Sequence, residues 1–461
     1  MVKLKRHQKS LPHRKGPLMD IVDALNLNSN PKIEINFDGG KLSSDSGLFL
    51  LKEFIHQIGF ADILEECFST KDTATYRKHS DIENLLQAMY QIFAGYFKDD
   101  HADSLTNEPV FSACLEKEAL ASQPTMSRFY NRLDEDTAEQ FNEIMRRLRK
   151  VIYSIEGRPT GMLFDLDTTL LNTYGSQEGS AWNFHYGDTG YHPQMCFNGV
   201  NGDLLRIQLR KGTQYCSTDV TDFLEPLFKE YTVDYPFTNL FVRGDSGYAA
   251  PELYEQCEHY GAEYAIRLKS NSVLCKLAEG LENELYEATK DDMVSAASVC
   301  GEFMYRAGSW SKERRVVCKI EKPAGSMEHR FMFIVTSLGA DVNFVIDFYC
   351  GRGQMENFIK ECKNDFDFAA TSSKSMVVNN NRLQIHGLSY NIFNAMRRLV
   401  FPSRLQKAQM GTIRMKLIKI ASRVVRHGRK ILYRLCSSCP FQKEFKAIMD
   451  NIHNLHWRYC I

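Results

Sequence analysis

The chain has 461 residues, and its 57 Lys and Arg balance 57 Asp and Glu to a formal net charge of zero. Hydrophobic residues at 43% and charged residues at 25% suit a chain with a sizeable core, divided into about two to four domains at roughly 100–200 residues each. Thirteen cysteines at irregular spacing argue against a disulfide framework, and the absence of an 18-residue apolar run or of a basic start followed by an apolar stretch argues against a membrane span or a secretion signal.

The neutral total hides an asymmetry. Lys3, Lys5, Arg6, Lys9, Arg14 and Lys15 make a basic N-terminal tail, and residues 1–32 are expected to be disordered. From 33 to 155 the pattern is mainly helical. Leu48, Leu51, Phe54, Ile55 and Ile58 recur at helical spacing, and 81–150 reads as several helices. Within them Leu120–Tyr130 has two readings. It is an ordinary helix–helix connection, or it is the turn and second helix of a helix-turn-helix. In the second reading Ser122 caps, Pro124 sits in the first turn, and Arg128 points outward to DNA.

From residue 160 the texture changes. Met162–Asp167 and Leu240–Asp245 are short apolar runs that end in an acid, and Glu263–Leu268 and Phe331–Val335 are also strand-like. Helical stretches at 250–261 and 352–364 alternate with them, so 156–270 plus 340–400 is read as one α/β domain. Residues 271–339 interrupt it as a β-rich insertion, with Arg314–Ile320 as one of its strands. Residues 401–461 are read as a basic helical C-terminal region. From Arg397 to Arg434 there is no Asp or Glu, and Ile413, Leu417, Ile420 and Val424 suggest an amphipathic helix with Arg414, Lys416, Lys419, Arg423 and Arg426 between them. Such a helix would lie on DNA or on the α/β domain. Cys436-Ser-Ser-Cys439 is a lone C-x-x-C pair, better read as idle thiols than as half a zinc site.

The chemistry concentrates in one segment. In Asp347–Lys363, Tyr349, Arg352, Glu356, Lys360 and Lys363 fall at offsets of 0, 3, 7, 11 and 14 residues, which puts them on one narrow helical stripe. A carboxylate flanked by cations is what a phosphodiester needs: the acid holds metal, and Arg and Lys hold phosphates. Asp167, Asp245 and Glu356 would supply an all-oxygen set that favours Mg²⁺ or Mn²⁺ over zinc, with two ions activating the attacking oxygen and stabilising the leaving one.

The motif Y-x-x-R-x-x-x-E-x6-K stands complete at Tyr349, Arg352, Glu356 and Lys363. It resembles the signature of bacterial DDE transposases of the Y-R-E-K group, and more narrowly the insertion-sequence family thirteen-eighty. Leu120–Arg128, Phe164–Thr169, Arg243–Tyr248 and Thr412–Ala421 extend the resemblance along most of the chain. It implies a ribonuclease-H-like α/β catalytic core with a β-rich insertion before the glutamate helix, preceded by the mainly helical N-terminal region. The spacing agrees, with 78 residues from Asp167 to Asp245 and 111 more to Glu356. It further implies that Asp167, Asp245 and Glu356 are catalytic metal ligands, that Arg352 and Lys363 contact phosphates at the element's end, and that Tyr349 packs against DNA there. Lys360, from the stripe, and Arg128, from the helix-turn-helix reading, are further candidates to meet DNA.

By the same resemblance the partners are double-stranded DNA (terminal inverted repeats and target) and a second copy of the chain on that DNA. No membrane is involved, and the setting is bacterial cytoplasm, at the nucleoid when bound. Asp165 lies on the same strand face as Asp167 and is a candidate to support it. Two alternatives stand beside this reading. Phe164-Asp-Leu-Asp-Thr-Thr-Leu170 also matches the opening of haloacid-dehalogenase-type phosphatases, with Asp165 as nucleophile. A domesticated relative that only binds DNA is the other.

Overall fold

The computed structural model describes residues 25–456 apart from 75, 293 and 327. The basic residues Lys3 to Lys15 lie outside the described residues. Strands β1 (Leu25–Leu27) and β2 (Asn30–Ile35) pair as an antiparallel hairpin. The expectation of a disordered tail reaching residue 32 is therefore corrected, because Ile33 and Ile35 alternate with Lys32 and Glu34 at the two-residue period of a strand.

After β3 (Leu42–Ser43) the chain is helical: α1 (Leu48–Gln57), α2 (Phe60–Cys67), α3 (Asp81–Ala94), the short α4 (His101–Ser104) and α5 (Pro109–Cys114), α6 (Gln123–Tyr130) and α7 (Glu135–Glu156). Reciprocal side-chain caps start two of them, Ser80 with Glu83 at α3 and Asp134 with Thr137 at α7. Ser122 precedes α6 with Pro124 in its first turn. Met126 and Phe129 face the core, and Arg128 is exposed.

The centre is an eight-stranded mixed sheet. β4 (Gly161–Thr168) leads to the small sheet of β5 (Leu171–Asn172), β6 (Ala181–Asn183) and β7 (Asp188–Tyr191), then to β8 (Gln194–Asn198) and β9 (Leu204–Gln208). Helix α8 (Val220–Val233) crosses to β10 (Asn239–Gly244), and α9 (Pro251–His259) to β11 (Glu263–Leu268). β4, β10 and β11 are parallel, while β8 and β9 run antiparallel beside β4. The resulting order β9-β8-β4-β10-β11 is the ribonuclease-H-like arrangement.

Residues 272–336 hold α10 (Ser272–Leu277), α11 (Glu279–Thr289), β12 (Ala297–Tyr305), β13 (Arg314–Lys322) and β14 (Arg330–Thr336). Their strands do not stand apart. β14 pairs with β11, so the insertion lengthens the central sheet to the order β12-β13-β14-β11-β10-β4-β8-β9.

Two helices follow, α12 (Val342–Cys350) and α13 (Gly353–Asp365), then the long α14 (Met376–Leu399). Buried amides on α14 serve the edge strand β9. Asn391 bonds both backbone groups of Leu204 at 2.8 Å, and Gln384 donates to the Ile207 carbonyl. The edge is thereby covered by side chains rather than left for another strand.

The expected basic helix over 412–434 is not formed. Helix α15 (Met410–Ile413) runs into a π-helical turn at Arg414–Ile418, and then β15 (Ser422–His427) and β16 (Lys430–Leu435) make a hairpin before α16 (Gln442–His453). Ser-Arg-Val-Val-Arg-His and Lys-Ile-Leu-Tyr-Arg-Leu are rich in β-formers, and Gly428 takes the positive φ (+58°) of the turn. Arg414 is drawn inward, where it caps the Ile92, Phe93 and Asp365 carbonyls.

Candidate active site

The carboxylates are placed by strand register. β10 lies parallel to β4 with Arg243 opposite Asp165 and Gly244 opposite Leu166. One further step along that register sets Asp167 beside Asp245. Both line one cavity of about 440 Å³. Asp245 follows β10 directly and accepts from the Gly247 amide at 2.9 Å, which caps the 3-10 turn Ser246–Tyr248. A Cβ at Gly247 would stand 2.8 Å from Cys216 and 3.0 Å from Asp245 Oδ1, so this turn has room only for glycine.

Asp167 is largely buried. Desolvation, with the Asp245 and Asp165 charges adding to it, pushes its carboxyl up to about 6 against the opposing pull of Arg352. Its Oδ2 accepts from Arg352 Nη2 at 2.7 Å and its Oδ1 from the Thr168 amide at 2.9 Å.

The rest of the cavity wall is aromatic and basic. Trp182, Phe184, His185 and Tyr186 come from the β6–β7 hairpin, and Tyr215 and Lys269 face them. Lys269 donates to the Tyr215 hydroxyl at 3.2 Å, and the Tyr186 hydroxyl donates to the Thr168 carbonyl at 3.2 Å. His192 sits behind them with Nδ1 2.8 Å from the Gln214 carbonyl, and burial lowers its basicity. The sequence notes Trp182–Tyr191 only as a departure from the family pattern and gives none of these wall residues a role. Their signal was there only as aromatic density in Trp182–Tyr191, which has no fixed spacing to a known chemistry.

The expected single stripe of Tyr349, Arg352, Glu356, Lys360 and Lys363 is divided between two helices, with Gly351 and Arg352 at the junction. Its members have different surroundings. Tyr349 is only 6% exposed and packs with Ala265, Val317, Ile334 and Val345. The expectation that its ring lies against DNA is corrected, because α12 turns that face onto the sheet.

Arg352 reaches Asp167. Lys363 is half-buried and donates to the Leu170 carbonyl at 3.0 Å and to Thr169 Oγ1 at 3.4 Å, beside the end of β4. Glu356 and Lys360 are exposed. Glu356 lies one helical turn beyond Arg352 on the same side of α13. It does not line the aspartate cavity, and among the described residues no three acidic, His or Cys side chains gather closely enough to hold a metal. The structure thus brings Asp167 and Asp245 together and leaves Glu356 outside them, with Arg352 occupying the intervening carboxylate.

Asp165 is fully buried and is gripped by Arg243 through two bonds, 3.1 Å and 2.6 Å. Arg243 also donates to the Phe348 carbonyl in α12. This arginine ties β4, β10 and the helix before Arg352 into one unit. Sequence reasoning quoted it inside Arg-Gly-Asp and missed the role. Asp165 in turn has no opening to a substrate, so it is not placed as the phosphatase-type nucleophile. Arg128 lies on α6 among the N-terminal helices, bonded to Thr125.

A family model described as transposase DDE domain group 1 matches residues 25–457. A comparison with curated proteins gives no match. Among solved structures the chain is similar to a cryo-EM structure of a piggyBac transposase synaptic complex with hairpin DNA. That similarity is 14% identity and a TM-score of 0.41 over 89% of this chain and 85% of the other.

Proposed function

The chain belongs to the transposase DDE domain group 1 family, and on that premise we propose that it cuts DNA at the ends of a mobile element and joins them to target DNA. Within the family we assign it to the Y-R-E-K group resembling insertion-sequence family thirteen-eighty. Tyr349, Arg352, Glu356 and Lys363 carry that assignment.

The observation that carries the reading is the pair of aspartates, contributed by adjacent parallel strands, at the wall of one cavity. Paired carboxylate oxygens suit a hard divalent cation, Mg²⁺ or Mn²⁺. Asp167 and Asp245 would hold it, and Glu356 would join them from the first turn of α13. When bound, a pair of such ions activates the attacking oxygen and neutralises charge at the phosphate.

The chain's own residues do the rest. Arg352 holds Asp167 in place. Lys363 anchors the strand end that carries Asp167. Exposed Lys360 lies on the same helix, where a phosphate backbone approaching Glu356 would meet it. The aromatic wall, with Trp182, Phe184 and Tyr215 exposed, offers ring faces to a nucleic acid entering the cavity. Duplex DNA is the substrate, and two copies of the chain would bring two ends together.

The test is cleavage of a labelled duplex carrying the element's own end, with Mg²⁺ or Mn²⁺, by the wild-type protein and by Glu356→Ala. Nicking at the element boundary is expected from the wild type and not from the variant, with end binding kept in both. End binding without cleavage by the wild type would leave a protein that only binds DNA.

A further inference from the structure

We propose that the β15–β16 hairpin is a second DNA-binding element, a cationic ribbon that takes backbone phosphates of duplex DNA away from the aspartate cavity. The proposal rests on the DNA-cutting function above and adds a contact surface to it. The first observation is the register. Arg423 stands directly opposite Arg434, and His427 directly opposite Lys430. Like charges facing across a strand pair destabilise it. The Arg423–Arg434 pair is such a contact, and Lys430 lies on the same face beyond Val425 and Leu432.

The second observation is that the hairpin itself carries no acid to compensate. The sequence holds no Asp or Glu between Asp367 and Glu444. Arg423, Arg426, Arg429, Lys430 and Arg434 are all exposed. The ion pairs flanking the hairpin, Lys419 with Asp45 and Arg404 with Glu444, lie outside it, and among the described residues none of these five cations is paired with an acid.

The third observation is that the other face is anchored. Tyr433 packs edge-on against Phe49 at 4.7 Å, and its hydroxyl donates to the Pro109 carbonyl at 3.0 Å. β15 also pairs with β3 at Ser43 and Leu42. The ribbon is therefore held out from the N-terminal helices with its repelling face to solvent. A polyanion with regularly spaced charges relieves that repulsion, and a two-stranded ribbon is of a size to lie along a duplex groove. The contact is to phosphates, so it carries no sequence preference.

The experiment compares the full chain with Arg423→Gln/Arg434→Gln in binding to end-bearing and unrelated duplexes across a salt series. Losing two phosphate contacts is expected to reduce the slope of log affinity against log salt by roughly 1.8, equally on both duplexes. At about 0.1 M salt the variant is expected to bind at least tenfold more weakly. The variant should melt no lower than the wild type, since it removes a like-charge pair. If the wild type binds duplex DNA and the variant keeps the same slope, the hairpin proposal fails and the DNA-cutting reading survives. If the wild type binds no duplex at all, both fail.

Discussion

Arg243 decides more of the site's geometry than any residue of the Y-R-E-K motif. It is buried, it closes a two-bond contact with a fully buried carboxylate, and it reaches a carbonyl of the helix that precedes Arg352. Buried pairs of this kind add little net stability, but removing one partner strands a charge where water cannot reach it. Arg243→Met is therefore expected to lose about 3–5 kcal/mol of unfolding free energy. Arg243→Met with Asp165→Leu should regain a substantial part of that loss. Urea unfolding of the three proteins measures both values, and an unchanged midpoint for the single variant would remove the role assigned to Arg243. The residue was visible in the sequence as part of Arg-Gly-Asp. Its partner was not, because only the pairing of β10 with β4 sets residue 243 opposite 165, 78 positions away.

At the level of elements, the polar stripe and the basic C-terminal helix show where periodicity stops being decisive. Spacing put Tyr349 to Lys363 on one helical face. The chain instead bends at Gly351–Arg352, so α12 buries Tyr349 while α13 presents Glu356. The segment after Ile418 satisfied helical spacing too, yet its local preference for extended structure and the open partner edge at β3 won. The seam between the two ends is tight. Gly47 donates to the Ile418 carbonyl at 3.1 Å, and a Cβ at Gly47 would sit 1.8 Å from the Leu417 carbonyl oxygen. Backbone meets backbone there, so neither side can yield by a rotamer change. Gly47→Ala is expected to cost about 3 kcal/mol or more and to lower the melting temperature. Gly428→Ala, at the solvent-exposed hairpin turn, should cost about 1 kcal/mol. Equal effects at the two glycines would mean the seam is looser than its geometry implies.

In the whole molecule, the N-terminal helices and the C-terminal segment share one hydrophobic core with α14 and the inner face of the sheet. Residues as distant as Leu48, Phe93, Phe141, Phe197, Leu388, Leu417 and Ile452 belong to the same buried cluster. The regions that composition separated at 155 and 401 are thus not independent bodies. Removing residues 401–461 should expose that cluster, and the shortened chain is expected to lose cooperative thermal unfolding and to aggregate. A soluble fragment ending at residue 400 that melts in one sharp transition would contradict this. Leu417 and Ile448, both within the removed stretch, are fully buried in that cluster.

By itself the sequence determined the chemistry's vocabulary: two acids at strand ends, a glutamate flanked by Arg and Lys, and an α/β pattern to carry them. Those properties are local, and residue type with short-range spacing expresses them. The ribonuclease-H-like core was expected only through the family resemblance, and its strand order is set by the pairing of β9, β8, β4, β10 and β11. Only the tertiary structure decided which acids meet. Asp167 and Asp245 converge because β4 and β10 pair in parallel. Glu356 is exposed on α13, while Arg352, one turn earlier, pairs with Asp167. Likewise, only the packing showed Tyr349 to be core, the insertion to be part of the main sheet, and the basic C-terminal stretch to be a hairpin. Each of these depends on a long-range contact, which no periodicity along the chain records.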